Sequence, residues 1–205
     1  MLHTILIDMN DIAFHEFSNM ETIQGECSHA FPPHIHESLC IGRINSGRAE
    51  LSIHGHREVL STGDYYVIPP YTLHTLSSVG LGRFSYQAVC YKNLRARKEF
   101  TKSVSSAKKY IENTLSECNL DTLSDTVYVS KYHLNRIFKE ELGISPYQFY
   151  ISQRVKRVKQ GLQADLPLSD MVYNLGFCDQ SHLCNTFLKH VGISPMQYTR
   201  SYRYG

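Results

Sequence analysis

Residues 133–154 read HLNRIFKEELGISPYQFYISQR, and residues 182–203 read HLCNTFLKHVGISPMQYTRSYR. Set over one another at an offset of 49 residues, ten of 22 positions are identical, including an unbroken Gly-Ile-Ser-Pro run. A fixed offset with a shared tetrapeptide marks one small unit built twice. In the first copy Leu134, Ile137, Phe138 and Leu142 fall at i, i+3, i+4 and i+8, the apolar stripe of a helix. Ser130 stands at its N-cap position. Gly143 ends it through a left-handed turn. Ser145 then caps a new helix with Pro146 at its first position. The second copy repeats the plan: Asp179 as cap, Leu183 and Phe187 as core, Gly192 as stop, Ser194-Pro195 as restart. The unit is helix, tight turn, helix.

Working outward, each copy is preceded by a short helix and a turn. Residues 120–127 are the first such helix, with Tyr128-Val129-Ser130 as the turn. Residues 168–175 are the second, with Gly176-Phe177-Cys178 as the turn. Two short helices joined so tightly form a helix-turn-helix, here at about 120–142 and again at about 168–191. Between them, residues 145–163 make one long helix. Ile151, Val155, Val158 and Leu162 are its buried stripe, and Arg154, Lys156, Arg157 and Lys159 its wet, basic face. Ahead of the first unit, Val104, Ala107, Ile111 and Leu115 predict a helix over about 103–117.

A helix of this kind fits the DNA major groove, where its exposed N-terminal residues reach base edges. Ser130, Lys131, Tyr132, Asn135, Arg136 and Lys139 lie off the first stripe. Arginine pairs with guanine O6/N7 and asparagine with adenine N6/N7. The matching second face, Gln180, Ser181, Cys184, Asn185 and Leu188, is uncharged. Two such helices on a rigid connector would enter successive major grooves, about 34 Å apart.

The first half of the chain differs in kind. Residues 1–97 hold seven Lys/Arg and nine Asp/Glu, net −2, and residues 98–205 hold fourteen and ten, net +4. A mildly basic C-terminal half is compatible with nucleic acid. Eight of the eleven histidines precede residue 75. Short alternating runs separated by Gly and Pro follow one another: 4–7, 12–14, 39–44, 49–54, 57–60, 65–68, 73–76 and 84–91. Asn45-Ser46-Gly47, His54-Gly55-His56 and Ser61-Thr62-Gly63-Asp64 read as turns. Many short strands at regular spacing predict a β-barrel or double-sheet jelly roll. Residues 92–97 read as a polar link, which places the boundary near residue 97.

His34 and His36, two apart, face one way on a strand, and Cys40 shares their parity. His74 could meet them across the barrel. Three histidines, or two with a thiolate, suit Zn²⁺, Ni²⁺ or Fe²⁺. A small organic effector in the same pocket is the other reading, and purely structural histidines a third. His54 and His56 decorate a hairpin tip. The six cysteines form no CxxC pair and no small disulfide framework, which predicts free thiols in a reducing cytoplasm. No run of 18 apolar residues predicts a membrane span, and the N-terminus lacks the pattern of a secretory signal.

His34-x-His36, then Gly63-Asp64, Pro69 and His74, resembles the two motifs of the cupin family over about residues 30–78. Metal-binding cupins place a Glu a few residues after the histidine pair; here Glu37 is adjacent to His36 and Cys40 lies four residues on. Residues 104–203 resemble the DNA-binding domain of the AraC/XylS family of bacterial transcription regulators. The residues that carry this are Ser130-Lys131-Tyr132-His133-Leu134-Asn135-Arg136-Ile137-Phe138 and Gly143-Ile144-Ser145-Pro146, then Gly176-Phe177-Cys178-Asp179-Gln180-Ser181, Phe187, Gly192-Ile193-Ser194-Pro195 and Tyr198. The resemblance implies an all-β cupin-like sensor barrel over 1–97 and an all-α tandem helix-turn-helix domain over 98–205. It also implies an activator, not an enzyme, that binds double-stranded DNA, contacts RNA polymerase and answers to a small molecule or metal in the barrel. Relatives form homodimers through helices between the two domains, and only a short segment is available here. Asn185 and Leu188 stand where relatives carry basic residues. The alternative from another class is a metal-dependent cupin enzyme, with His34, His36 and His74 around an open metal position and the helices as an appendage.

Overall fold

In the computed structural model the described residues are 11–17, 19–28, 30–92, 100–116 and 118–204. The strand expected at 4–7 and the link and boundary expected near residue 97 lie outside them. Seven strands come first: β1 Asp11–Phe17, β2 Met20–Cys27, β3 Leu39–Ile53, β4 His56–Ser61, β5 Tyr65–Ile68, β6 His74–Ser78 and β7 Phe84–Tyr91. Seven helices follow: α1 Lys102–Asn113, α2 Leu120–Thr126, α3 Lys131–Leu142, α4 Pro146–Gln163, α5 Leu168–Asn174, α6 Gln180–Val191 and α7 Pro195–Tyr204.

The antiparallel sheet runs β1-β2-β7-β3-β4, and β5 and β6 also pair with β3. Strand β3 is therefore the spine of the barrel. Its first half lies between β7 and β5, and its second between β4 and β6. The stretch Asn45-Ser46-Gly47, expected as a turn, is instead a bulge inside this one 15-residue strand, where the register shifts between Ile44 and Ser46. One extra residue reverses the side-chain parity. Cys40, Gly42 and Ile44 face inward before the bulge, Ala49 and Leu51 after it. Gly47 permits the bend: its φ is +78°, and a Cβ there would lie 2.3 Å from the Arg83 carbonyl oxygen. The other expected turns hold. His54 and Gly55, both at positive φ, close the β3–β4 hairpin with exposed histidines.

The helical half follows its caps. The Ser130 hydroxyl accepts from His133 N–H, and the Asp179 carboxylate from His182 N–H. Ser145 and Gln148 form a reciprocal capping box, and Ser194 and Gln197 repeat its two bonds in the second copy. Each cap is worth about 1 kcal/mol. Gly143 and Gly192 both terminate their helices in the left-handed region. Ser124, a polar residue facing the first unit's core, is satisfied within its own helix by donating to the Asp121 carbonyl at 2.8 Å.

The two halves share one core. Ile12 and Phe14 of β1 and Ile35 of the segment before β3 are buried together with the apolar stripes of α1 through α7. A second cluster, including Ile44, Leu51, Phe84 and Tyr86, fills the barrel itself. The Phe14 ring packs tilted against Tyr198 of α7, with centroids 5.0 Å apart.

The glycine of the second turn offers a clean test. Gly176 has φ +68°, and an added Cβ would lie 2.3 Å from the Ser116 carbonyl oxygen, whereas Gly55 has φ +84° with open space around it. A left-handed non-glycine residue costs roughly 1–2 kcal/mol. Gly55→Ala is expected to lose about that amount, and Gly176→Ala distinctly more, by urea denaturation. Equal losses would show that Ser116 does not constrain the turn.

Candidate effector pocket and nucleic-acid interface

His34-x-His36 does not sit on a regular strand. His34 forms an isolated bridge with His74, each N–H donating to the other's carbonyl at 3.1–3.2 Å. That bridge draws the three imidazoles together: ring centroids are 4.3 Å apart for His34–His74, 4.8 Å for His36–His74 and 6.1 Å for His34–His36. Each Nδ1–H donates to a backbone carbonyl two residues away: His34 to Pro32 at 2.8 Å, His36 to Ser38 at 2.8 Å, His74 to Thr72 at 2.9 Å. A carbonyl only accepts, so the tautomer is set and the Nε2 lone pair of each ring is the acceptor left for other partners.

All three rings are neutral at pH 7. Burial lowers His34 to about 4, against the opposing pull of the Pro32 carbonyl. Burial, reinforced by His34 and His36, lowers His74 to about 2. Burial also lowers His36, offset by the Ser38 carbonyl and by Glu21.

These histidines line a cavity of about 730 Å³ that both halves of the chain wall and that opens to solvent. The barrel contributes Phe31, Ile35, Tyr66, Ile68, Leu76 and Tyr86, and helix α4 contributes Phe149, Ser152, Gln153, Lys156, Lys159 and Gln163. His190, from α6, also lines it, its Nδ1–H donating to Thr186 at 2.8 Å. Two ion pairs cross its rim. Lys156 meets Glu37 at 2.9 Å, and the less exposed Lys159 meets Glu21 at 2.6 Å. Lys159 also lies over the rings of Phe14 and Tyr198, at 4.6 and 5.2 Å.

Three expectations are corrected here. First, Cys40 is not a free thiolate: it is bonded to Cys90. The β3–β7 register sets these residues opposite one another across a sequence separation of 50, which no local spacing reveals. Cys27, Cys118, Cys178 and Cys184 form no disulfide among the described residues. Second, the donors do not fit a metal ion. Glu37 is held by Lys156 and Cys40 by Cys90, and among the described residues no group of three His, Cys, Asp or Glu side chains could hold one. Third, α4 has no continuous wet, basic face. Arg154 is only 3% exposed, its guanidinium 3.6 Å over the Phe177 ring, and Lys156 and Lys159 are turned to the barrel. Of the four, Arg157 stays exposed without crossing to the barrel.

The expected DNA face is differentiated. Tyr132 and Lys139 are exposed, and Asn135 is half-buried. Ser130 serves as cap to α3. Lys131 pairs with Asp121 of α2. Arg136 donates to Glu140 at 3.0 Å and lies 3.1 Å from His133 Nδ1. In the second unit Gln180, Ser181 and Asn185 are exposed, while Cys184 is half-buried against the core and burial pushes its thiol up. His182 went unpredicted: its Nδ1 accepts from Cys178 N–H at 3.4 Å and its ring meets Phe177 edge-on. The C-terminal ends of both α3 and α6 rest on the barrel. A Cβ on Gly143 would touch Leu73, and one on Gly192 would touch Phe31 and Ile12. The exposed N-terminal residues of α3 and α6 lie at the far ends of those helices.

Comparison with known proteins agrees. Residues 22–119 match the model of the AraC-like ligand binding domain, and residues 123–201 match that of a helix-turn-helix domain. The multiple antibiotic resistance protein MarA of Escherichia coli is 31% identical over 98 residues, covering 47% of this chain and 77% of MarA. The chain belongs to the AraC family of transcription regulators. The arabinose operon regulatory protein of the same organism is 31% identical over 98 residues, covering 46% of this chain and 34% of that protein. This AraC-family chain thus matches about a third of the length of that relative. The apo form of a ToxT variant from Vibrio cholerae has the same fold throughout, with TM-score 0.60 over 94% of this chain and 96% of that one, at 10% identity. No helix among the described residues is long and apolar enough to cross a membrane.

The neutral histidines predict an acid limb of stability. Each takes up a proton on unfolding, since its folded pKa lies below the unfolded 6.5. Stability is therefore complete above pH 6.5 and falls as the pH drops towards the folded values. For His34 the loss between pH 7.5 and pH 5 is about 2 kcal/mol. His34→Gln should flatten urea midpoints across that range. An unchanged slope in the variant would show that His34 is not held neutral.

Proposed function

We propose that this chain is a sequence-specific DNA-binding transcription regulator whose DNA affinity answers to an organic effector in the interdomain cavity. The observation that carries the reading is the shared wall of that cavity. The same α4 that connects the two helix-turn-helix units lines it opposite His34, His36 and His74. A ligand held there touches the sensor and the DNA-binding half at once. The neutral histidines offer acceptors to the ligand's hydroxyl or N–H groups, and the apolar wall covers its carbon skeleton. The first unit supplies the charged base-reading groups, Lys131, Asn135, Arg136 and Lys139. The second, with Gln180, Ser181, Cys184 and Asn185, follows the duplex with little charge. An activator of this build works in the cytoplasm, beside RNA polymerase. Reconstituted transcription with and without effector distinguishes activation from repression, and sedimentation on operator DNA reads whether two copies bind.

Footprinting on the DNA upstream of its own gene is expected to show a protected site spanning two successive major grooves. Absence of protection, with and without candidate ligands, would sink the reading. Arg136→Ala is expected to cost about 1–3 kcal/mol of binding and to relax specificity at one base position. Uniform weakening on every sequence would mean that Arg136 meets only phosphate.

A further inference from the structure

The disulfide between Cys40 and Cys90 has no role in the reading above. It joins two strands that the ladder already holds: the β3–β7 pairing runs through Leu39↔Tyr91, Cys40↔Cys90 and Ile41↔Val89 to Ile44↔Tyr86. The strands stay paired without it. Its place is informative instead. Both cysteines are in the wall of the effector cavity, whereas Cys27, the third cysteine of the barrel, is not. One of the two sulfurs also touches the histidine cluster. His36 Nδ1, whose N–H goes to the Ser38 carbonyl at 2.8 Å, lies 3.9 Å from Cys40 Sγ, so a change at this sulfur is felt at the ring.

The geometry points to a thiol–disulfide exchange site inside the effector cavity, taking a low-molecular-weight thiol. A thiolate entering the cavity attacks one sulfur of the pair. The new S–S bond forms to that sulfur as the Cys40–Cys90 bond breaks, and the electron pair departs on the other sulfur, which water then protonates. A second thiolate attacks the incoming sulfur of the mixed disulfide and releases the first cysteine. The balance is one protein disulfide and two thiols giving one protein dithiol and one small disulfide. The consequence reaches the DNA-binding half through a short path. Cys40 meets His36, and His36 precedes Glu37, the carboxylate that Lys156 of α4 holds at 2.9 Å. The regulatory half of this inference rests on the proposed DNA-binding function; the exchange chemistry does not.

The full chain is equilibrated in glutathione buffers of graded reduced-to-oxidised ratio, quenched by alkylation and weighed intact. A two-electron transition confined to Cys40 and Cys90 is expected. Cys40→Ser and Cys90→Ser should each abolish the two-electron transition and take up one glutathione at the remaining thiol. A disulfide that resists every ratio, or a remaining thiol that takes up no glutathione in either single variant, overturns the site. DNA affinity is then read in the oxidised and reduced forms, with a difference of about fivefold expected. The Cys40→Ser, Cys90→Ser double variant, held by the same ladder, should bind DNA alike in both buffers. Exchange without any change in affinity overturns the regulatory half. Loss of DNA binding in both forms, with the mass transition intact, overturns the proposed function and leaves the exchange site standing.

Discussion

The two left-handed glycines, Gly143 and Gly192, are where the chain's architecture closes. Each ends a recognition helix because it alone adopts positive φ without cost, and each lacks the Cβ that would strike the barrel. One atom's absence thus serves the turn and the interdomain contact together. Since the C-terminal end of each helix is held at the barrel, the reading ends project away. A rotation of the barrel against either glycine would move a recognition helix as a rigid rod. Rigid elements with fixed ends are the means by which a distant ligand is felt at DNA.

Around that frame the cavity couples charge to packing. Its histidines are kept neutral by burial and fixed in orientation by their backbone partners, so their chemistry is that of acceptors rather than cations. Its charges are placed at the rim, in pairs that cross between the halves. The Lys159–Glu21 pair is the tighter of the two and also stacks on Phe14 and Tyr198, so it ties the barrel to α7 as well as to α4. Exposed pairs contribute little, and partly buried ones more, because removing one partner strands the other. The interface is therefore held at discrete points that a ligand can press on, within a core that both halves share.

What the sequence made legible follows from locality. Caps, stops and apolar stripes act within four residues, so the repeat, its Ser130, Ser145 and Asp179 caps and the helix ends were all readable. So was the meeting of His34 and His74. The misreadings share one cause, a partner far away in the chain. Asn45-Ser46-Gly47 has the composition of a turn, but β7 and the Arg83 carbonyl keep it inside a strand as a bulge. Cys40 looked like a ligand until the register set it against Cys90. Arg154, Lys156 and Lys159 carry the spacing of a wet face, but the surface they occupy belongs to Phe177 and to the barrel's acids. The cavity itself was only half visible. Its second wall is α4, whose glutamines and lysines at polar positions resemble any solvated helix.

The two DNA-reading units differ in how they hold charge before DNA arrives. In the first, Lys131 rests on Asp121 and Arg136 on Glu140. Such exposed pairs are worth about 0–1 kcal/mol, so a base edge or phosphate displaces them cheaply. They still set a threshold, because a contact that does not repay the lost pair and the repelled carboxylate is not made. On the proposed assignment of Lys131 and Arg136 to base edges, such acids suppress binding to arbitrary sequence more than binding to a matched one. The second unit lacks this device. Asn185 stands at the position of Arg136, and Lys189 at that of Glu140, which moves positive charge to the helix's C-terminal turn, where it complements the dipole near the barrel. On the proposed function the first unit is the one that discriminates among sequences, and a signal from the cavity, which borders α6 through His190 and Val191, has its short route to the duplex through the second.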